Sequence, residues 1–222
     1  MTSAESKFAG NSDLWESLDS SVAQSIQPVR EEDIKPFDTD APLPAEKTEL
    51  VSLDQQIRRL LLQYQLSVGS RRLEDVAYKV WQSLLSTLYQ VNRKLGRLDE
   101  QDKVLRKLVD KLSPTGRKDL AALSNLAFVS GDLGKYEESE RLATESLKLI
   151  QEHEQLGKDS PQALGAMRAK ILALWKQGKI ADAKALISET FAIIDSMAGG
   201  KFAKYQDEEK IALDKVVVQF GE

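Results

Sequence analysis

Residues 122–142 read Ala122-Leu-Ser-Asn-Leu-Ala-Phe-Val-Ser-Gly-Asp-Leu-Gly-Lys-Tyr-Glu-Glu-Ser-Glu-Arg-Leu142. Leu123, Leu126 and Ala127 fall on one helical face before the turn, and Ser139 and Ala143 on one face after it. The turn itself is Gly134-Lys135-Tyr136. A glycine at that point lets one helix end and a second fold back. The apolar residue two later then fills the gap between the pair. The same chemistry recurs at Gly96-Arg97-Leu98 and Gly178-Lys179-Ile180, at spacings of 38 and 44 residues. Self-similarity on this scale marks stacked helical hairpins, in which neighbours complete each other's core.

Working outward, Ser52-Leu-Asp-Gln55 reads as a capping box that opens a helix over 52–67, with Leu53, Ile57, Leu60, Leu61 and Tyr64 on its apolar face. Gly69 is placed to end it. A longer helix is expected from 73 to 94 along Val76, Ala77, Val80, Leu84, Leu88 and Val91, and a last one over 203–220. Period-two alternation is missing, so no sheet is expected. Four of the six prolines precede residue 45, in a stretch rich in Ser, Asp and Glu. That composition buries too little apolar surface to offset chain entropy, so residues 1–46 are expected to be mostly disordered. Leu14, Leu18, Val22 and Ile26 interrupt it at four-residue spacing, predicting a short amphipathic helix over 12–27.

Charge is uneven. Residues 1–49 carry eleven acids against four bases, whereas the rest carries 27 bases against 24 acids. A mildly basic body without a basic stripe argues against nucleic acid as the ligand. Runs such as Leu60-Leu61-Leu62 are too short for a bilayer, so no membrane association is expected. No secretory signal is expected either. The chain has no cysteine, which excludes a disulfide framework, a thiol nucleophile and cysteine-ligated metal. The expected location is cytoplasmic, with the nucleus left open. His153 is the only histidine and reads as a solvated residue near a helix end. Glu137, Glu138 and Glu140 read as a solvated first turn. Gly131 and Gly134 lack the strand and the Lys-Ser/Thr of a phosphate loop, and Gly199-Gly200-Lys201 reads as a helix break. No catalytic group, metal or cofactor is expected.

The segment 122–142 resembles the tetratricopeptide repeat family. Leu123, Leu126 and Ala127 stand at the large, Leu and Gly positions of that motif, and Ser139 and Ala143 at two positions of its second helix. Asn125-Leu-Ala followed by Gly134-Lys-Tyr-Glu-Glu is most similar to repeats of the kinesin light chain kind. The other copies depart from the pattern. Tyr89 and Gln101 replace small residues in the first, and Lys170 and Ile171 replace the Leu and small positions in the third, where Ala183 and Ile187 fit. The resemblance implies an all-α fold: a short right-handed superhelix of antiparallel helix pairs, a tetratricopeptide-like α-solenoid with a disordered N-terminal tail. Repeats fall at about 75–113, 118–153 and 160–198 in a domain covering 47–222, and the helices at 52–67 and 203–220 serve as caps.

In such stacks the first helix of each pair lines a binding groove. The resemblance places Thr87, Gln90, Arg93 and Lys94 there in the first repeat, Ser124, Asn125, Phe128 and Asp132 in the second, and Arg168, Leu172, Trp175 and Lys176 in the third. Phe128 and Trp175 fit either the groove or the interhelical core. Asn125 stands where the kinesin light chain repeats grip a peptide backbone, but Thr87 and Ala169 replace it in the neighbouring copies. The implied function is a protein-interaction adaptor or scaffold rather than an enzyme, its partner a peptide or protein surface, acidic with an aromatic anchor. The alternative is a permanent structural subunit of a larger all-helical assembly. The leader holds one segment of fitting chemistry, Asp13, Leu14, Trp15, Glu16 and Leu18, which resembles tryptophan-acidic cargo motifs. It is expected to contact the chain's own groove or to dock on a partner.

Overall fold

A computed structural model of the chain describes residues 29–34 and 42–220. The expected helix over 12–27 and the motif Asp13–Leu18 lie outside the described residues. Among the described residues there are nine α-helices and no strand: α1 (Lys47–Ser67), α2 (Leu73–Val76), α3 (Tyr78–Lys94), α4 (Leu98–Asp110), α5 (Leu120–Asp132), α6 (Tyr136–Gln151), α7 (Pro161–Lys176), α8 (Ile180–Ser196) and α9 (Gln206–Val218). They fall into two compact units. One comprises the chain up to Val104 together with 111–117, the other 105–110 together with the chain from Lys118 onward.

The three glycine turns share one geometry. Gly96, Gly134 and Gly178 adopt φ of 70°, 77° and 75°, the left-handed region that a side chain would strain. Each closes its helix with the same pair of bonds. The glycine N–H donates three residues back, to Arg93, Gly131 or Trp175, and the next N–H donates five back, to Asn92, Ser130 or Leu174. This double bond satisfies the last helical carbonyls before the chain reverses.

In the first unit, α1 and α2 both pack on α3. The capping box expected at Ser52–Gln55 does not open α1. The helix begins a turn earlier, after Glu46, whose side chain makes no capping bond. Leu50 is already buried there, and Glu49 in the first turn complements the helix dipole. Leu53 and Leu60, expected on the buried face, are only half-buried, whereas Leu62, Asp54 and Arg58 go inside. The helix expected over 73–94 is divided at Ala77, which leaves the helical region at φ −135°, ψ 57°. Two outside bonds hold α2: Gln65 accepts from Leu73 N–H at 3.0 Å, and Asp75 pairs with Lys111. Beyond the break, α3 follows its own stripe, with Val80, Leu84, Leu88 and Val91 buried.

In the second unit, α5 packs on α6, α7 on α6 and on α5, α8 on α7, and α9 on both α8 and α7. Side-chain caps set two helix starts: Asp119 Oδ1 accepts from Ala122 N–H at 2.9 Å, and Ser160 Oγ accepts from Ala163 N–H at 3.2 Å with Pro161 next in line. Leu123, Leu126, Ala127, Ser139 and Ala143 are all buried. A Cβ on Gly131 would meet Ser139 Oγ at 3.2 Å, and that hydroxyl donates to Ala127 carbonyl at 2.7 Å. Small residues at the crossing thus let α5 and α6 approach closely. Farther along, Leu164, Met167, Ile171, Ile194 and Leu213 form a core, each burial contributing about 1.5–3 kcal/mol. The last helix is shorter than the expected 203–220. A 3-10 turn at Ala203–Tyr205 precedes α9, and Gln206 Nε2 ties its start to α8 by donating to Ile194 carbonyl at 2.8 Å.

Candidate binding face

The first helices of the three hairpins are α3, α5 and α7, and each residue expected to line a groove can be placed on them. In the first unit, Gln90 and Arg93 on α3 are exposed. Lys94 is also exposed and its Nζ lies 3.5 Å and 3.4 Å from the carbonyl oxygens of Leu43 and Pro44. Both cations stand in the last turn of α3, where the helix dipole favours positive charge. Thr87 does not line a face. It is 6 % exposed, and its hydroxyl donates back to Ser83 carbonyl at 3.1 Å.

In the second unit, Asn125 and Phe128 on α5 are half-buried and Asp132 is exposed. Partial desolvation raises the Asp132 carboxyl above its ordinary value. Ser124 is turned to α6, sharing a 2.6 Å hydrogen bond with Ser146 Oγ. On α7, Lys176 is exposed. Three other residues expected in an open groove are engaged by the end of the chain. Arg168 Nη1 pairs with Glu209 Oε2, both side chains being largely buried. Leu172 packs against the core. The Trp175 indole stacks on the Phe220 ring, centroids 4.0 Å apart and planes 11° from parallel.

Arg168, Leu172 and Trp175 are therefore corrected from open groove residues to a seam with the C-terminal segment. The cause is that α9 packs beside α7. Glu209 and Phe220 are the partners that sequence reasoning missed. A signal for them was present: Glu209 interrupts an otherwise apolar stripe continued by Leu213, Val216 and Phe220 at helical spacing. A carboxylate in that position needs a cation opposite it.

His153 Nδ1 accepts from Gln155 N–H at 3.2 Å at the end of α6. Among the described residues, no group of three or more His, Asp or Glu side chains is placed to hold a metal ion, and no helix is long and apolar enough to cross a membrane. A scan against protein-family models, a search of curated proteins and a search of solved structures each return no match.

Proposed function

We propose that the chain is a binding protein of the tetratricopeptide kind, an adaptor or scaffold that takes a peptide or partner surface along the first helices of a short right-handed superhelix. The observation that carries this reading lies in the second unit. There α5 and α7 pack directly on one another, and each keeps accessible groups, Asn125 and Phe128 on one and Lys176 on the other. An amide that both donates and accepts, a half-exposed ring and a free-standing cation suit an extended acidic segment with an aromatic side chain. In the first unit, taken by itself, α3 carries two exposed cations of its own, Arg93 and Lys94.

The test is a titration of the full chain with an acidic, tryptophan-containing peptide. Lys176→Glu and the pair Arg93→Glu, Lys94→Glu, made as separate variants, are each expected to weaken binding by roughly tenfold, because like charges then face the peptide. Unchanged affinity in both would move the binding surface off the first helices.

One observation favours a second reading, the permanent structural subunit. The outer side of α9 exposes Ile211 at 54 % and Val218 at 70 %, where an end helix facing solvent is ordinarily polar. A fixed neighbour would cover them.

A further inference from the structure

We infer that the Trp175 indole is the seat for an aromatic side chain of the acidic partner, and that Phe220 is a built-in placeholder which the partner displaces. The inference rests on the binding reading above and names where on α7 the ligand's ring goes.

Several features of the site point the same way. Phe220 lies two residues beyond the end of α9, and its ring covers the indole face at a centroid distance of 4.0 Å, nearly parallel. An offset-stacked pair of this kind is a specific contact, and any planar aromatic of similar size satisfies it equally well. The two residues before Phe220 are both exposed, Val218 at 70 %. Phe220 itself is half-buried against the edge of the core, so moving it gives up that contact and the final turn, in which its N–H donates to Val217 carbonyl.

The rest of α9 has separate anchors that do not depend on this stack. Leu213 and Val216 are buried in the core, and the Arg168–Glu209 pair fixes the helix start. α9 can stay docked while Phe220 leaves. Lys176, the residue next to the seat, is exposed. It supplies a cation for an acidic residue flanking the incoming ring. The chain's own C-terminal segment already presents to α7 one carboxylate, from Glu209, and one aromatic ring, from Phe220. The partner chemistry follows from that: an acidic segment bearing a Trp or Phe.

The probe is a synthetic peptide of residues 12–27, which carries Asp13, Trp15, Glu16 and Asp19, titrated into the full chain. A seat filled by its own placeholder binds with an affinity reduced by the fraction of time it is empty. Phe220→Ala is thus expected to tighten binding by roughly three- to tenfold. Trp175→Ala in that background is expected to abolish the gain. Phe220→Leu, which keeps apolar bulk at the helix end without a ring to stack, is expected to fall between Phe220→Ala and the native chain, and guards against mere loosening of α9. Amide exchange on the native chain saturated with peptide is expected to rise at 217–220 and stay unchanged at 206–213. Equal affinity in all four chains, with unchanged exchange at 217–220, would overturn the placeholder while leaving the binding reading intact if Lys176→Glu still weakens the complex. Failure of the peptide to bind Phe220→Ala at all would overturn the seat itself.

Discussion

Arg58 reaches two carboxylates from the inner face of α1: its Nε donates to Asp54 Oδ2 at 3.1 Å and its Nη2 to Glu100 Oε2 at 3.0 Å. Arg97 approaches the same Asp54 oxygen at 3.6 Å, while Asp54 Oδ1 is buried without a hydrogen-bond partner. Arg58 and Asp54 are only 7 % and 3 % exposed along their side chains, so removing one leaves the other charged and desolvated. Arg58→Met is expected to cost about 3 kcal/mol in urea unfolding, whereas Asp54→Leu with Arg58→Met is expected to return to within about 1 kcal/mol of the native chain. A single variant with an unmoved midpoint would show that the pair contributes nothing. These two residues also show why α1 was misread from sequence. The stripe Leu53, Ile57, Leu60 counts apolar residues alone. The helix is rotated so that Asp54 and Arg58 point inward, where they pair with each other and with Arg97 and Glu100, which lie about forty residues on. Thr87 and Ser124 follow the same pattern. The resemblance places each in the groove, yet Thr87 is buried with its hydroxyl turned back to Ser83 carbonyl, and Ser124 is half-buried against Ser146 on the next helix.

At the scale of the helical hairpin, the turns were legible and the joints between hairpins were not. A glycine turn needs one residue in the left-handed region and two backbone bonds, all within six positions, so Gly96, Gly134 and Gly178 announce themselves. A joint depends on side chains about forty residues apart. Glu140 on α6 shows this: it accepts from Gln177 Nε2 at 2.8 Å and Lys179 Nζ at 2.7 Å, both in the turn between α7 and α8. Gln177 Nε2 also lies 3.3 Å from Tyr136 carbonyl. By its position near the start of α6 alone, Glu140 reads as part of a solvated face. The Lys179 hydrogen bond, with that of Gln177, outweighs partial burial and holds the Glu140 carboxyl below its ordinary 4.5. A carboxylate whose folded-state value is depressed contributes stability that is complete above the unfolded value and is lost as pH falls through the folded one. The urea midpoint of the native chain is therefore expected to drop as the pH falls below the ordinary 4.5 and through the depressed folded value, and that of Glu140→Gln to drop less. Equal drops in the two proteins would remove Glu140 from the joint.

For the molecule as a whole, the question is whether the chain works alone or as a fixed part of something larger, and α9 carries the evidence on both sides. Its inner side is committed, through Leu213, Val216 and Glu209, to the second unit. Its outer side aligns Ile211 and Val218, seven residues and two turns apart, with Asp214 and Lys215 exposed between them. Two apolar side chains on one short helix offer far less than the roughly 800 Å² per partner of a stable interface. They are better matched to a chain that is stable by itself. Sedimentation of the full chain is expected to give a single species at the 24.8 kDa of the sequence. Ile211→Lys with Val218→Lys is expected to leave that mass and the urea midpoint unchanged, since exposed positions contribute little to either. A native chain heavier than 24.8 kDa that the double variant returns to that mass would make α9 a subunit interface and favour the permanent assembly over the adaptor. The two readings then divide on one segment, the residue just past α9 covering the Trp175 indole and the outer face of α9 deciding whether a fixed neighbour is bound.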